Sequence, residues 1–528
     1  MASQSRQQGN SLMKSDRMAS NQPLPRRRRA MATLVAGGIA LISSFPIPAA
    51  PTNSSTPSLL PPLAMGDEPI VVTEHRIQTE HGPLTYETRV GRLPIRNEET
   101  GEVRGRIFFC AYVVTSKGAT RPLTFAWNGG PTSPSNLIHL ELLGPRRRVG
   151  DRVVDNAQTL LTDSDLVFYD PVETGFSRPE KPEFAPEFLN MKGDVAATVE
   201  FIRAYRRRFG AARQPLIVAG ESYGVFRGAA VVDRFTAEGE KVAAAILISG
   251  DIPNIPMPIP FYNAMHIPAR TATAFYFHRL PAELQKDRDA TLKEVNQWIT
   301  STYMPALEHV DQLNDAEREK IATDLARYIG LRPDQVNRKT LVVPVKYFLE
   351  GFFDGDRTAN LMGIDARLTT KDHFDVGSPA LVSRYYRDEL GYMTDLSYSP
   401  LEPGYMPTPG PLRRPNYLQW IYNQDGITPE IIAAASAEGE VTLIAKNNPQ
   451  WIPNAMKADK NLKVFVASGR YDPLNMCEGD AIATATLPPD LSKRITNHCY
   501  EGGHMMYRDE PTRLQMSHDL SEFVRGLE

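Results

Sequence analysis

The sequence predicts an α/β fold: a mostly parallel central sheet with helices on both faces, interrupted by a large, mainly helical insertion. Three observations carry this. Short, mostly apolar runs recur over 123–127, 165–169, 215–219, 242–248 and 462–467, as strands buried on both faces of a parallel sheet require. Helical patterns stand between them; over 193–209 the apolar Val195, Val199, Ile202 and Tyr205 fall on one helical face. The rhythm stops after Ile248 and resumes near Leu462, and the stretch between carries helical stripes such as Leu292, Val295, Trp298, Ile299 and Tyr303.

The amino-terminal region comes first in the chain and is unlike the rest. Arg26 to Arg29 precede thirteen uncharged, largely apolar residues at 30–42 and a small-residue exit over 43–50. This is the pattern of an export signal over 1–50, and its apolar segment is short of the ~20 residues that cross a bilayer. The protein is therefore expected to be exported, periplasmic or secreted, with no stable membrane insertion once the signal is removed. The arginine run permits a twin-arginine route, although the residues after it fit that pattern poorly. Seven of the 59 Lys and Arg and one of the 62 Asp and Glu lie in the first fifty positions, so the remainder carries 52 basic against 61 acidic residues. That balance gives no footing for a nucleic-acid binder. Residues 51–68, rich in Pro, Ser and Thr, read as a disordered linker. The core follows in two parts, 69–254 and 456–528, around a helical cap at 255–455 that includes a Pro-rich passage over 400–415.

Within the first part, alternation over 71–73, 84–90 and 107–114 predicts antiparallel edge strands. The strand at 123–127 runs into Asn128-Gly129-Gly130-Pro131, a turn that either frees backbone N–H groups to receive an oxyanion or is simply tight. The strand at 165–169 runs into Asp170 and continues to Ser177. The run at 215–219 ends in Gly220-Glu221-Ser222-Tyr223-Gly224, followed by small and apolar residues that suit a helix. This is a G-x-S-x-G nucleophile elbow in its strand-before, helix-after setting, with glycines where side chains would strike neighbouring elements. In the second part, the strand at 462–467 leads to Asp472, one at 494–499 leads through Gly502-Gly503 to His504, and a helix closes the chain over 512–525.

The order serine, acid, histidine, with the last two after late strands, is that of the α/β-hydrolase fold. Of the histidines beyond Ser222, His266, His278, His309 and His373 fall in the insertion, His498 in a strand and His518 in the last helix, so His504 alone lies on a glycine-flanked loop. Asp472, before Pro473, is either the triad acid or a turn or cap residue. Ser222, Asp472 and His504 together predict a catalytic triad for acyl transfer. No metal-ligand spacing appears, and no cofactor is expected.

At these residues the chain resembles the serine carboxypeptidase family, α/β-hydrolases with a helical insertion. Asn128 to Pro131 are similar to its W-x-N-G-G-P-G-C-S-S motif, Asp170 to Ser177 to D-Q-P-x-G-x-G-F-S, and Gly220 to Gly224 to G-E-S-Y-A-G. Gly469-Arg470-Tyr471-Asp472 and Gly502-Gly503-His504-Met505 are similar to its two late motifs. The resemblance implies peptide substrates, Ser222 as nucleophile, His504 as general base and Asp472 as the acid orienting it. It also implies an oxyanion hole from the N–H groups of Gly130 and Tyr223, and recognition of a peptide's terminal carboxylate by Asn128 and Glu221. Thr132, Ser133 and Pro134 depart from the first motif, and Leu142 stands where a second carboxylate-binding glutamate is expected, with Glu141 beside it. An esterase or acyltransferase using the same triad is the alternative. Cys477 lies five residues after Asp472 and Cys499 five before His504, so an exported protein could join them; a free pair is the other outcome. Cys110 is expected to be buried in a strand.

Overall fold

Ten strands pair as the main sheet in a computed structural model, which describes residues 57–61, 67–97, 99–115, 121–253, 255–256, 259–353, 359–375, 378–398 and 449–527. They are β1 (Ser58–Leu60), β2 (Ile70–Thr79), β3 (Gly82–Arg96), β4 (Val103–Val113), β5 (Leu123–Trp127), β6 (Asp165–Tyr169), β7 (Leu216–Glu221), β8 (Ala244–Ile248), β9 (Lys463–Gly469) and β10 (Ile495–Tyr500). Their spatial order is β1-β2-β3-β4-β6-β5-β7-β8-β9-β10. From β6 to β10 every neighbouring pair is parallel, whereas β1 to β4 form an antiparallel extension joined antiparallel to β6. A two-residue strand, Arg178–Pro179, pairs with β4. From β5 to β9 the central strands carry charged residues only at their ends, Asp165, Glu221 and Lys463, because both faces are covered. In β7, Leu216 and Val218 belong to the apolar cluster on one face, and Ile217 and Ala219 to the cluster on the other.

Helix α1 (Met191–Arg208) begins at Asn190, whose side chain accepts from the Gly193 N–H, and ends in Arg206, Arg207 and Arg208, the charge sign that suits a helix carboxyl end. It packs on one face of the sheet with α2 (Tyr223–Ala237), the helix that follows the elbow. The insertion has its own apolar cluster, built around α3 (Ile267–Tyr276), α4 (Arg288–Trp298) and α5 (Asp315–Ile329). It also contains a hairpin of Leu361–Met362 and Asp365–Thr369. Helix α6 (Trp451–Ala458) then packs against α2, α7 (Glu478–Ala485) follows the loop after β9, and α8 (Glu510–Arg525) covers the second face.

The export signal over 1–50, residues 51–56 of the linker and the Pro-rich 400–415 passage lie outside the described residues. Two expectations are corrected. Ser58–Leu60, within the linker expected to be disordered, pairs antiparallel with Ile70 to Val72 as β1, because the long edge of β2 offers unpaired backbone groups. The sheet's own apolar clusters also reclaim parts of the 255–455 cap. Tyr385, Tyr386, Leu390 and Tyr392 pack on the second face, and Trp451, Ile452 and Ala455 on the first. Among the described residues no helix is long and apolar enough to cross a membrane.

Candidate active site

Strands β5, β7, β9 and β10 run parallel, so their carboxyl ends share one rim, and each delivers a candidate residue there: Asn128, Ser222, Asp472 and His504 respectively. Ser222 sits between β7 and α2 with φ 59° and ψ −131°, a region that L residues rarely occupy. The flanking glycines are required by crowding. A Cβ on Gly220 would run into the Gly224 carbonyl, and one on Gly224 would lie 2.8 Å from Trp127 Cδ1. Trp127 Nε1 donates to the Gly224 carbonyl at 2.9 Å, so β5 is tied directly to the elbow.

The acid and the histidine are coupled. His504 Nδ1–H donates to Asp472 Oδ2 at 2.6 Å, and Asp472, fully buried, also accepts from the Leu474 N–H at 3.0 Å and from Asn475 Nδ2. Burial pulls the His504 imidazole down, but Asp472, through charge and hydrogen bond, and Glu221 leave it above its ordinary value. Ser249, with φ 53°, donates its hydroxyl to the His504 carbonyl at 2.5 Å. Ser222 Oγ makes no hydrogen bond to His504. The Cys477–Cys499 disulfide forms, with Cα atoms 4.9 Å apart, and braces the segment after Asp472 against β10; Cys110 is free and buried.

The Asn128–Pro131 turn is folded onto the elbow: a Cβ on Gly129 would lie 2.5 Å from the Tyr223 nitrogen. Gly130 has φ 109°, and the Gly130–Pro131 peptide is cis. The close packing of Gly129 on the Tyr223 nitrogen brings the Asn-Gly-Gly turn and the Tyr223 amide into one neighbourhood. Asn128 and Glu221 meet directly, Asn128 Nδ2 donating to Glu221 Oε2 at 2.8 Å while Asn128 Oδ1 accepts from the Leu137 and Ile138 N–H groups, both at 3.1 Å. Burial is the main cause that pushes the Glu221 carboxyl up to about 7, against the opposing pull of His504, Tyr507 and Arg508. Leu142 is packed in the core below the sheet rim. Glu141 is held by Arg148, at 2.7 Å, and by Arg508, at 2.7 Å, which makes it a paired carboxylate rather than a second carboxyl donor.

Several residues here escaped the sequence reading. Arg227, fully buried in α2, donates to Asp194 at 2.7 Å and to the carbonyls of Asn128 and Pro131 at 2.9 and 3.2 Å, so it fastens the Gly-Gly turn to the elbow helix. A lone arginine in the apolar run after the elbow was its one signal. Tyr507 Oη donates to Glu221 Oε2 at 2.8 Å, three residues after His504. The insertion hairpin reaches both late loops: the His504 N–H donates to the Ile364 carbonyl at 2.6 Å and the Ala366 N–H to the Tyr471 carbonyl at 2.8 Å. No sequence signal marks Ile364 or Ala366. Among the described residues the one group with metal-ligand geometry is Cys477, Glu478 and Cys499, and its two sulfurs are bonded to each other.

The parallel sheet, the elbow turn and the placement of Asp472 and His504 after the late strands are the arrangement of the α/β-hydrolase fold. Residues 83–244, which carry the Asn-Gly-Gly turn and the elbow, match the model of the serine carboxypeptidase family. Comparison with curated proteins finds no match. Among solved structures the chain is similar to Kex1Δp, a prohormone-processing carboxypeptidase from Saccharomyces cerevisiae, at 15% identity over 84% of this chain and 91% of the other, TM-score 0.45. It is also similar to a proline iminopeptidase from Mycobacterium smegmatis (11% identity, 83% and 98% covered, TM-score 0.33) and to a carboxyl esterase from Bacillus coagulans (9%, 83% and 98%, 0.35).

Proposed function

We propose that the protein is an exported serine carboxypeptidase that releases C-terminal residues from peptides through an acyl-enzyme on Ser222. Ser222 Oγ attacks the scissile carbonyl as His504 Nε2 takes its proton, Asp472 holds the imidazole in the required tautomer, and the N–H groups of Gly130 and Tyr223 receive the oxyanion. His504 returns the proton to the leaving amine, and water then cleaves the acyl-enzyme by the same path. Catalytic hydrogen bonds of the serine–histidine kind are often long until substrate closes the site, which accommodates the unbonded Ser222 and His504.

The observation that carries the carboxypeptidase reading is the buried Asn128–Glu221 pair beside the elbow serine. Glu221, pushed up to about 7, is protonated in acid, and a protonated carboxyl and an amide both donate to a carboxylate. Export is supported by the Cys477–Cys499 disulfide, a bond that persists in oxidising compartments.

The test offers the mature protein an N-blocked dipeptide, its C-terminally amidated form and an aryl ester between about pH 4 and 8, with Ser222→Ala as control. The reading expects cleavage of the free acid over the amide, falling away as pH rises through about 7. Equal cleavage of the amidated form would replace it with the esterase or acyltransferase reading.

A further inference from the structure

We propose that Tyr507 is a positioning residue that orients Glu221 so that one defined oxygen, Oε1, carries the proton offered to the substrate's terminal carboxylate. The inference rests on the carboxypeptidase reading and adds to it a residue and an atom.

The geometry is specific. Glu221 Oε2 accepts two hydrogen bonds, from Asn128 Nδ2 and from Tyr507 Oη, both at 2.8 Å. Two donors fill the lone pairs of that oxygen, so a proton on the carboxyl resides on Oε1, which has no hydrogen-bond partner among the described residues. Asn128 cannot rotate away, since its Oδ1 is held by the Leu137 and Ile138 N–H groups, and its Nδ2 keeps a second hydrogen. Asn128 and Glu221 can thus present one N–H and one O–H side by side to a carboxylate, provided Glu221 does not turn over. Tyr507 is the group that prevents it: it is buried, and its hydroxyl has no other partner.

The groups facing Glu221 are few. From the elbow's neighbours come His504, Tyr507 and Arg508 on the loop after β10, and Glu141 on the 138–143 turn. Glu141 is neutralised by Arg148 and Arg508, so it neither donates to a substrate nor supplies a second carboxyl that would compensate for a misplaced Glu221. Tyr507 also lies on the same short loop as His504, in the turn Met506–Arg508, so the loop that presents the base fixes the recognition group as well.

The experiment measures kcat/KM for the N-blocked free-acid dipeptide, divided by that for an aryl ester of the same acyl group, across the pH range; the ester lacks the carboxylate and is the internal reference. In the wild type this ratio should fall as pH rises through about 7. In Tyr507→Phe the carboxylate form of Glu221 loses a hydrogen bond, so the midpoint should move up by ~1 pH unit and KM for the free acid at acid pH should rise about fivefold. In a Glu221→Gln background, Tyr507→Phe should leave the ratio unmoved. An unshifted midpoint in Tyr507→Phe, or an equal further loss in the Glu221→Gln background, overturns the role of Tyr507 while leaving the carboxypeptidase reading intact. A wild-type ratio that is flat with pH, together with equal cleavage of the amidated dipeptide, overturns both. Should Tyr507→Phe be recovered unfolded, a fluorinated tyrosine at 507 keeps the shape and strengthens the donor, and the midpoint must then move down; no movement counts against the proposal.

Discussion

Ser222 concentrates backbone strain at the position proposed as the nucleophile, with φ 59° between two glycines that cannot carry side chains. Ser222→Ala should lower kcat on any cleavable substrate by at least ~10⁴-fold with binding retained, and Asp472→Asn by ~10⁴-fold because the imidazole tautomer is lost; steady-state kinetics on the purified protein checks both. A different mechanism governs Arg227. Its replacement by Leu leaves Asp194 buried without its partner and frees the Asn128 and Pro131 carbonyls, so urea denaturation should register a loss of ~3–5 kcal/mol, with kcat reduced through the loosened Gly-Gly turn. The placement of Ser222, Asp472 and His504 at one rim of the sheet was legible in the sequence because each follows a recognisable strand and is bracketed by turn residues. Arg227 and Tyr507 were not legible: a lone arginine in an apolar run does not name its partners, nothing local announces Tyr507, and the Asn128 carbonyl and Glu221 lie 99 and 286 positions away from them.

At the scale of elements, parallel strands read clearly because unbroken apolar runs are what a doubly covered sheet demands. β1 was lost to its composition: a three-residue edge strand next to prolines has no periodicity of its own and exists through β2. The insertion hairpin was equally silent, since its contact with the late loops is made by backbone atoms of Ile364 and Ala366. The disulfide is an element-scale brace. It spans 22 positions and ties the start of α7 to β10, so the double replacement Cys477→Ser with Cys499→Ser should cost ~2–4 kcal/mol in thermal or denaturant melts. Because the bridge leaves the acid loop on one side and the histidine loop on the other, kcat in the reduced form should fall more than KM rises.

For the whole molecule, buried titratable groups set the pH range of stability. Burial pushes Asp170, Glu221 and Asp480 each up to about 7 and raises Asp251, beside Asp480, as well. Asp170, Glu221 and Asp480 hold protons in the folded state that the unfolded chain releases near pH 4, so their stabilisation is complete below that value and is lost as pH rises through about 7. His504, raised, acts in the same direction. Burial has the opposite result for His139, held down to about 3, and for His75 and His266, held down to about 4; their contribution is present above 6.5 and is lost as pH falls toward those values. The two sets nearly offset each other between about pH 4.5 and 6.5, and of these groups the carboxyls and His504 are the ones that titrate above 6.5. Melting temperature should therefore be level in mild acid and decline from about pH 6.5 to 8.5, a trend that scanning calorimetry would reveal and that a rise over the same interval would contradict.

The hairpin at 361–369 has a consequence for how this enzyme can diversify. Its Ile364 carbonyl and Ala366 amide are bonded to the very loops that carry His504 and Asp472, so the roof is not an ornament that evolution or an engineer can exchange freely. A chimera that takes its lid from elsewhere must reproduce those two backbone contacts, or it will inherit new walls around a misaligned reaction centre.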